Sequence, residues 1–173
     1  MNVPTQPGSD VASQSGGLVF VLSGPSGVGK DSVKARLRDL EPRLYHCITA
    51  TTRSPRPGEQ DGVDYYFLSR PEFERLRDNS GLLEWDQHFD QLYGAPCAQV
   101  LDALRQGQDV LVEVDVNGAM SIRKRIPLAV LIFLAPASIE ELQERLRGRG
   151  TEGEAALALR LVRRIATSSG YWH

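Results

Sequence analysis

The sequence predicts an α/β fold, a parallel sheet flanked by helices, and three observations carry that prediction. Residues 18–23 form a continuous apolar run that leads directly into a glycine-rich loop and a helix-like stretch. Two more apolar runs, 109–115 and 128–135, alternate with helical periodicity. That alternation is the pattern of strands joined by right-handed crossovers. Between these units, from about residue 51 to residue 96, shorter strand signals surround one short helix. That break in rhythm predicts a small lobe inserted into the core.

Composition bounds the rest. A length of 173 residues suits one domain, or one core with a small lobe, and 41% apolar residues suffice for a real interior. Net charge is −2 with basic residues spread along the chain. This argues against a nucleic-acid-binding surface as the main purpose. Cys47 and Cys97 are far apart and lack a C-x-x-C pattern or histidine companions. Free thiols in a reducing compartment are therefore expected, not a disulfide or a metal site. No apolar run reaches membrane-spanning length, and the start of the chain lacks a signal-peptide pattern. The expected compartment is the cytoplasm.

The first run, residues 18–23, reads as a strand buried on both faces. Gly24-Pro25-Ser26-Gly27-Val28-Gly29-Lys30 then matches the phosphate-loop pattern G-x-x-x-x-G-K. Glycines let the backbone curl so that several N–H groups converge on phosphate oxygens. The following helix adds its N-terminal partial positive charge, and Lys30 adds a full one. A plain glycine-rich turn is the bland alternative; the flanking strand and helix argue against it. The residue after the lysine is usually Ser or Thr, whose hydroxyl meets Mg²⁺. Here it is Asp31, followed by Ser32. Either oxygen donor can ligate Mg²⁺; alternatively Asp31 simply favours a helix N-terminus.

The remaining elements follow in order. Residues 1–16, rich in Ser, Gly, Gln and Pro, read as a disordered leader. The domain is expected over 17–173, with its core at 17–50 and 97–173 and the lobe at 51–96. A helix over about 32–40 places Val33 and Leu37 on one face, with Pro42 past its end. Residues 45–50 read as a second strand. The loop 49–59 holds Arg53 and Arg56 between prolines, a stiff fork for an anion or else a solvated basic turn. Residues 64–68 read as a short strand. Ser69 with Glu72 forms a capping box opening a helix to about 78. Residues 82–85 begin another short strand, and 93–96 turn the chain. A helix over 97–106 ends at Gly107. The run 109–115 is a strand with acids at its carboxyl end, where ligands bind in open α/β sheets. A helix over 117–125 follows, then a third buried strand at 128–135. Ser138 with Glu141 opens a helix to about 146. Residues about 147–154 are basic and glycine-rich, a mobile lid, and a helix follows from about 154 to 166.

Taken together, GPSGVGK, TTRSPRPGE with DYYF, LLEW, LYG, VEVDVNGA and RLRGRGTE make the sequence resemble the guanylate kinases. The likeness runs from Gly17 to about Arg164. It implies the P-loop kinase fold with a GMP-binding lobe and a mobile lid, and the reaction ATP + GMP = ADP + GDP with Mg²⁺. It implies ATP binding by residues 24–32. Thr49, Arg53, Arg56, Tyr65 and Tyr93 fall at positions that contact GMP and its phosphate. Glu84 and Asp115 fall where the family reads the guanine ring. Lys30, Arg145, Arg149 and Arg160 match the cations around the transferring phosphoryl group. Carboxylates suit guanine because its N1–H and N2–H₂ are donors, which adenine does not offer as a pair. On the residues alone, the favoured readings are an exposed strand acid for Glu84 and a helix N-cap for Asp115. Small-molecule substrates, no nucleic acid, no membrane, and a monomer or homodimer complete the expectation.

Three positions depart from the family pattern. Ala95 stands where many relatives carry Ser or Thr beside the base. Asp31 replaces the usual hydroxyl residue. The segment RLVRRIATSSGYWH stands where the family continues with a strand, an Asn-containing loop and a final helix. The expectation from that ending is an unpaired sheet edge and reduced stability. Two other readings share parts of the pattern. The GKDS spelling also resembles ribose 1,5-bisphosphate phosphokinases. A non-catalytic guanylate-kinase-like binding module would keep the lobe while commonly losing the loop lysine or lid arginines.

Overall fold

The computed structural model describes residues 16–88 and 90–148. The elements in chain order are β1 (Val19–Ser23), α1 (Lys30–Leu40), β2 (Tyr45–His46), β3 (Ala50–Thr51), β4 (Tyr66–Phe67), α2 (Arg70–Asp78), β5 (Leu82–His88), β6 (Gln91–Pro96), α3 (Cys97–Arg105), β7 (Val110–Glu113), α4 (Val116–Arg125), β8 (Val130–Phe133) and α5 (Ile139–Gly148). The leader, the region from Arg149 onward and the closing segment lie outside the described residues.

Four strands form a parallel sheet in the order β2-β7-β1-β8. Its register pairs Val21 with Val112 on one side of β1 and with Leu131 on the other. β1 is thus hydrogen-bonded along both edges and buried nearly throughout, as its uninterrupted apolar sequence predicts. Val19, Val21, Val110 and Val112 pack with Val100 and Leu104 of α3 and Ala119 and Ile122 of α4. β1 ends at Gly24, whose φ is 152°. A Cβ there would lie 2.4 Å from the Leu134 carbonyl oxygen, so only glycine lets the loop leave the sheet at this point.

A second sheet, in the order β4-β3-β6-β5, is drawn from residues 50–96. β5 and β6 form an antiparallel hairpin, and β3 joins β6 antiparallel and β4 parallel. Its own core is Ala50, Phe73, Leu82 and Leu92, with Tyr66, Leu68 and Leu76 packed around it. The Ser69 capping box opens α2 and thereby aims Phe73, which is fully buried, into that core.

Several boundaries differ from the sequence reading. The single strand predicted at 45–50 is two short ones belonging to different sheets. Tyr45–His46 extends the parallel sheet and Ala50–Thr51 starts the second. Between them the backbone of Ile48 is claimed by Gln99, whose Oε1 accepts from Ile48 N at 2.8 Å. A side chain there takes the place of a strand partner. The stretch 93–96 is not a turn: it lies in β6, paired with a β5 that reaches His88. β8 is not buried on both faces. Val130 and Ile132, on one face, are 39% and 42% exposed, while Leu131 on the other packs against the core. α1 begins at Lys30, ahead of the predicted start.

Truncating the buried ring of Phe73 leaves a cavity in the smaller core. Phe73→Ala is expected to destabilise the protein by roughly 3–5 kcal/mol. The midpoint of urea unfolding followed by circular dichroism measures it.

Candidate active site

The phosphate loop leaves β1 and closes on α1. Gly27 and Gly29 adopt φ of 79° and 107°, and Val28 N donates to the Pro25 carbonyl at 3.3 Å. Gly29 is the N-cap of α1 and supplies no side-chain acceptor. The first-turn N–H groups therefore keep their affinity for an anion. Lys30 folds across the loop, with Nζ donating to the carbonyls of Gly24 at 3.0 Å and Pro25 at 3.2 Å. Arg145 reaches the loop from α5. Its Nη1 donates to the Val28 carbonyl at 3.0 Å and its Nη2 is paired with Glu141 at 2.6 Å. Beside it lies a cavity of about 210 Å³ lined by Val28, Ala135, Pro136, Leu142 and Arg145. Asp31 and Ser32 are exposed in the first turn of α1.

The second basic site sits in the loop after β3. The Arg53 guanidinium makes a two-pronged pair with Glu59, at 2.7 Å and 2.6 Å. It also lies over the rings of Tyr65 and Phe67, 5.0 Å and 5.5 Å from their centroids. Glu59 accepts a further bond from Arg56 N at 2.7 Å. The arginine hydrogen bond holds the Glu59 carboxyl down at about 2, well below the usual carboxylate range. The loop is thus already shaped around an anion, and that anion is its own glutamate. Burial raises the Tyr65 phenol to about 12, helped by the negative charge of Glu113. Tyr93 also lies within electrostatic reach of Arg53. Thr49 is half-buried, and its carbonyl accepts from Tyr66 N at 2.9 Å.

The third group is acidic. Strand alternation puts Glu84, Asp86 and His88 on one face of β5, with Trp85 and Gln87 exposed on the other. Asp115 faces them from the junction of β7 and α4. Glu84 is only 7% exposed. Burial raises its carboxyl to about 8, with Asp115 and Asp86 adding repulsion and an Ala95 backbone N–H pulling it back. Asp115 caps α4, its Oδ1 accepting from Gly118 N at 2.7 Å, while His88 Nε2 lies 3.3 Å from Oδ2. Those bonds hold the Asp115 carboxyl below its ordinary value against the opposing effect of burial, the largest single influence on it. The two bland readings thus part: Glu84 is not an exposed strand acid, and Asp115 is an N-cap that also faces the cluster.

Tyr65 joins the groups electrostatically, since it feels Arg53, Tyr93, Glu113 and Asp31 together. Among the predicted residues, the loop 24–32, Lys30 and Arg145 converge at one place. Arg53, Arg56 and Tyr65 converge at a second, and Glu84 and Asp115 at a third. Arg149 and Arg160 lie outside the described residues, as does most of the predicted lid.

The guanylate kinase family profile matches residues 17–171. The chain belongs to the guanylate kinase family. A guanylate kinase from Synechococcus sp. (strain JA-3-3Ab) is 49% identical over 145 residues, spanning 84% of this chain and 67% of that protein. One from Thermobifida fusca is 51% identical over 141 residues, spanning 82% and 72%. The crystal structure of guanylate kinase from Anaplasma phagocytophilum superposes with a TM-score of 0.64 at 32% identity, covering 84% of this chain and 73% of that one. Neither the sugar-bisphosphate kinase nor the binding-module reading gains support from these relatives.

Reading the guanylate kinase motifs singled out some members of these clusters and missed others. Glu59 lies inside the quoted TTRSPRPGE motif, and its spacing from Arg53 is the signal that could have paired them. Gly118 has no side chain, yet a Cβ there would stand 2.7 Å from Glu84 Oε2. Its role is to leave room for that carboxylate, which only the packing of α4 on β5 reveals. Glu113 ends β7 and pairs with Lys34 of α1 at 2.8 Å. His88 carries no motif at all.

The Glu84 carboxyl has a folded value near 8 against an ordinary value near 4.5. The folded state therefore holds a proton that the unfolded chain has lost. This contribution to stability is fully present below about pH 4.5 and is lost as pH rises to about 8, with a slope of up to about 1.4 kcal/mol per pH unit. Glu84→Gln removes the titration. Thermal unfolding between pH 5 and 8 is expected to show the wild type losing ground to the variant as pH rises.

Proposed function

We propose that this chain carries out the reaction of its family, transferring the γ-phosphoryl group of ATP to GMP. The observation that carries the acceptor choice is the buried Glu84 beside Asp115. These acids can accept from the N1–H and N2–H₂ of guanine, and a buried acid facing adenine would lack that donor pair. Arg53 and Arg56 are assigned the GMP phosphate, with Glu59 as the group it displaces. Tyr65 and Tyr93 are assigned phenolic hydrogen bonds to the same phosphate, and Thr49 a contact with the nucleotide. The loop 24–30 and Lys30 are assigned the donor phosphates.

A GMP phosphate oxygen attacks the γ-phosphorus in line. Its new O–P bond forms as the bond from the γ-phosphorus to the β–γ bridging oxygen breaks, and the electron pair leaves with ADP. The attacking oxygen is already ionised at neutral pH, so no general base is needed. Such transfers depend on positioning and charge neutralisation. Arg53 and Arg56 offset the acceptor's repulsion of the donor, and Arg145, with Arg149 and Arg160 assigned by resemblance, offsets charge developing on the transferred group. Mg²⁺, when bound, would neutralise donor-phosphate charge. The exposed oxygens of Asp31 or Ser32 in the first turn of α1 are a hard donor set that fits it. Among the described residues no helix is long and apolar enough to cross a membrane. The cytoplasm, where ATP and GMP are available and thiols such as Cys47 and Cys97 stay free, is the compartment we assign.

Coupled measurement of ADP release with ATP and Mg²⁺ tests the acceptor. Turnover is expected with GMP and not with AMP or ribose 1,5-bisphosphate; turnover with the sugar alone would overturn the reading. Gly118→Ala would push the new methyl onto Glu84. It is expected to raise KM for GMP about tenfold and leave KM for ATP within about twofold, measured in the same assay.

A further inference from the structure

We propose that His88 is a specificity-positioning residue, fixing Asp115 in the orientation that receives the guanine ring. The inference rests on the reading of Asp115 as a guanine acceptor and adds a residue to it. Asp115 is gripped at both oxygens. Gly118 N holds Oδ1 at 2.7 Å and His88 Nε2 lies 3.3 Å from Oδ2. The first bond is supplied by the helix backbone and exists wherever an aspartate caps α4. The second comes from the opposite side of the pocket, from a different sheet, so the two together fix the rotation of the carboxylate.

The imidazole is itself constrained. It packs against the Tyr93 ring at 5.7 Å between centroids, and strand alternation carries it on the same face as Glu84 and Asp86. Among the described residues, the charged and titratable groups that face it are Glu84 and Asp86 on its own strand, Asp115 from the β7–α4 junction, and Tyr93 on the neighbouring strand. Asp86 is in turn approached by Asn117 Nδ2 at 3.4 Å. The Asp115 hydrogen bond raises the imidazole above its ordinary value, and the nearby carboxylates reinforce that. The same bond helps to hold the Asp115 carboxyl below its ordinary value in a pocket crowded with acids. Through Tyr93, the same ring connects the base-reading acid with a phenol assigned to the GMP phosphate.

The test uses the full chain in the coupled assay. His88→Leu removes donor and charge, and is expected to raise KM for GMP about tenfold while kcat falls far less and KM for ATP stays within about twofold. His88→Gln keeps an N–H donor at a similar reach without titrating. It is expected to recover KM to within about threefold of wild type at neutral pH. The ratio of wild-type to His88→Gln KM should then rise as pH passes the raised imidazole value, because only the wild type loses a charge there. Equal KM for GMP in His88→Leu and wild type would overturn the inference. So would a kcat loss equal to the KM rise, or failure of Gln to rescue. Asp115→Asn separates this from the underlying reading. A raised KM in Asp115→Asn with no effect in His88→Leu sinks only the role of His88, whereas no effect in Asp115→Asn sinks the guanine assignment and this inference with it. Asp86, His88 and Asp115 also bring ligand-type atoms within 4.8 Å of one another. A KM shift that appears only with added Zn²⁺ and disappears on chelation would assign His88 to a cation instead and overturn the positioning role.

Discussion

The structure depends on a strand that has no free edge. β1 is paired on both sides, and all its partners in the sheet run parallel to it. Parallel pairing sends the carboxyl ends of β1 and β7 to the same rim, so the phosphate loop, Glu113 and Asp115 emerge together. No local sequence feature could achieve that. Gly24 permits the exit because the Leu134 carbonyl stands where a side chain would begin.

Charge is arranged against local self-repulsion. Three carboxylates, Glu84, Asp86 and Asp115, share one pocket, and Glu84 and Asp115 respond to it in opposite directions. Burial pushes the carboxyl of Glu84, the deepest, up to about 8, whereas a helix N-terminus and an imidazole hold Asp115 below its ordinary value. The basic loop solves the opposite problem. Arg53 would be a buried unpaired cation without Glu59, and the glutamate keeps it both satisfied and in position.

Much of the fold was legible in the chain. β1 announced itself by six consecutive strand-forming residues, α2 by a capping box with both bonds made, and α5 by the Ser138 cap that accepts from Glu141 N. The phosphate loop needs only its own glycines and lysine. What failed was whatever depends on a distant partner. Residues 45–50 looked like one strand because β-branched and aromatic residues suit either sheet; Gln99, about fifty positions away, divides them. Residues 93–96 looked like a turn because Gly and Pro are there. In the hairpin, Gly94 lies close against Glu84 O and Trp85, a contact that excludes a side chain.

The sequence by itself determined the glycine-rich loop, the arginine-bearing loop and the family, because each is a short pattern whose chemistry is local. Only the tertiary structure decided the state of the acids. Burial beneath α4 is what moves Glu84 toward neutrality, and the crossing of β5 with the β7–α4 junction is what brings His88 to Asp115. Desolvation and proximity are properties of the packed chain, and no residue carries them in its name.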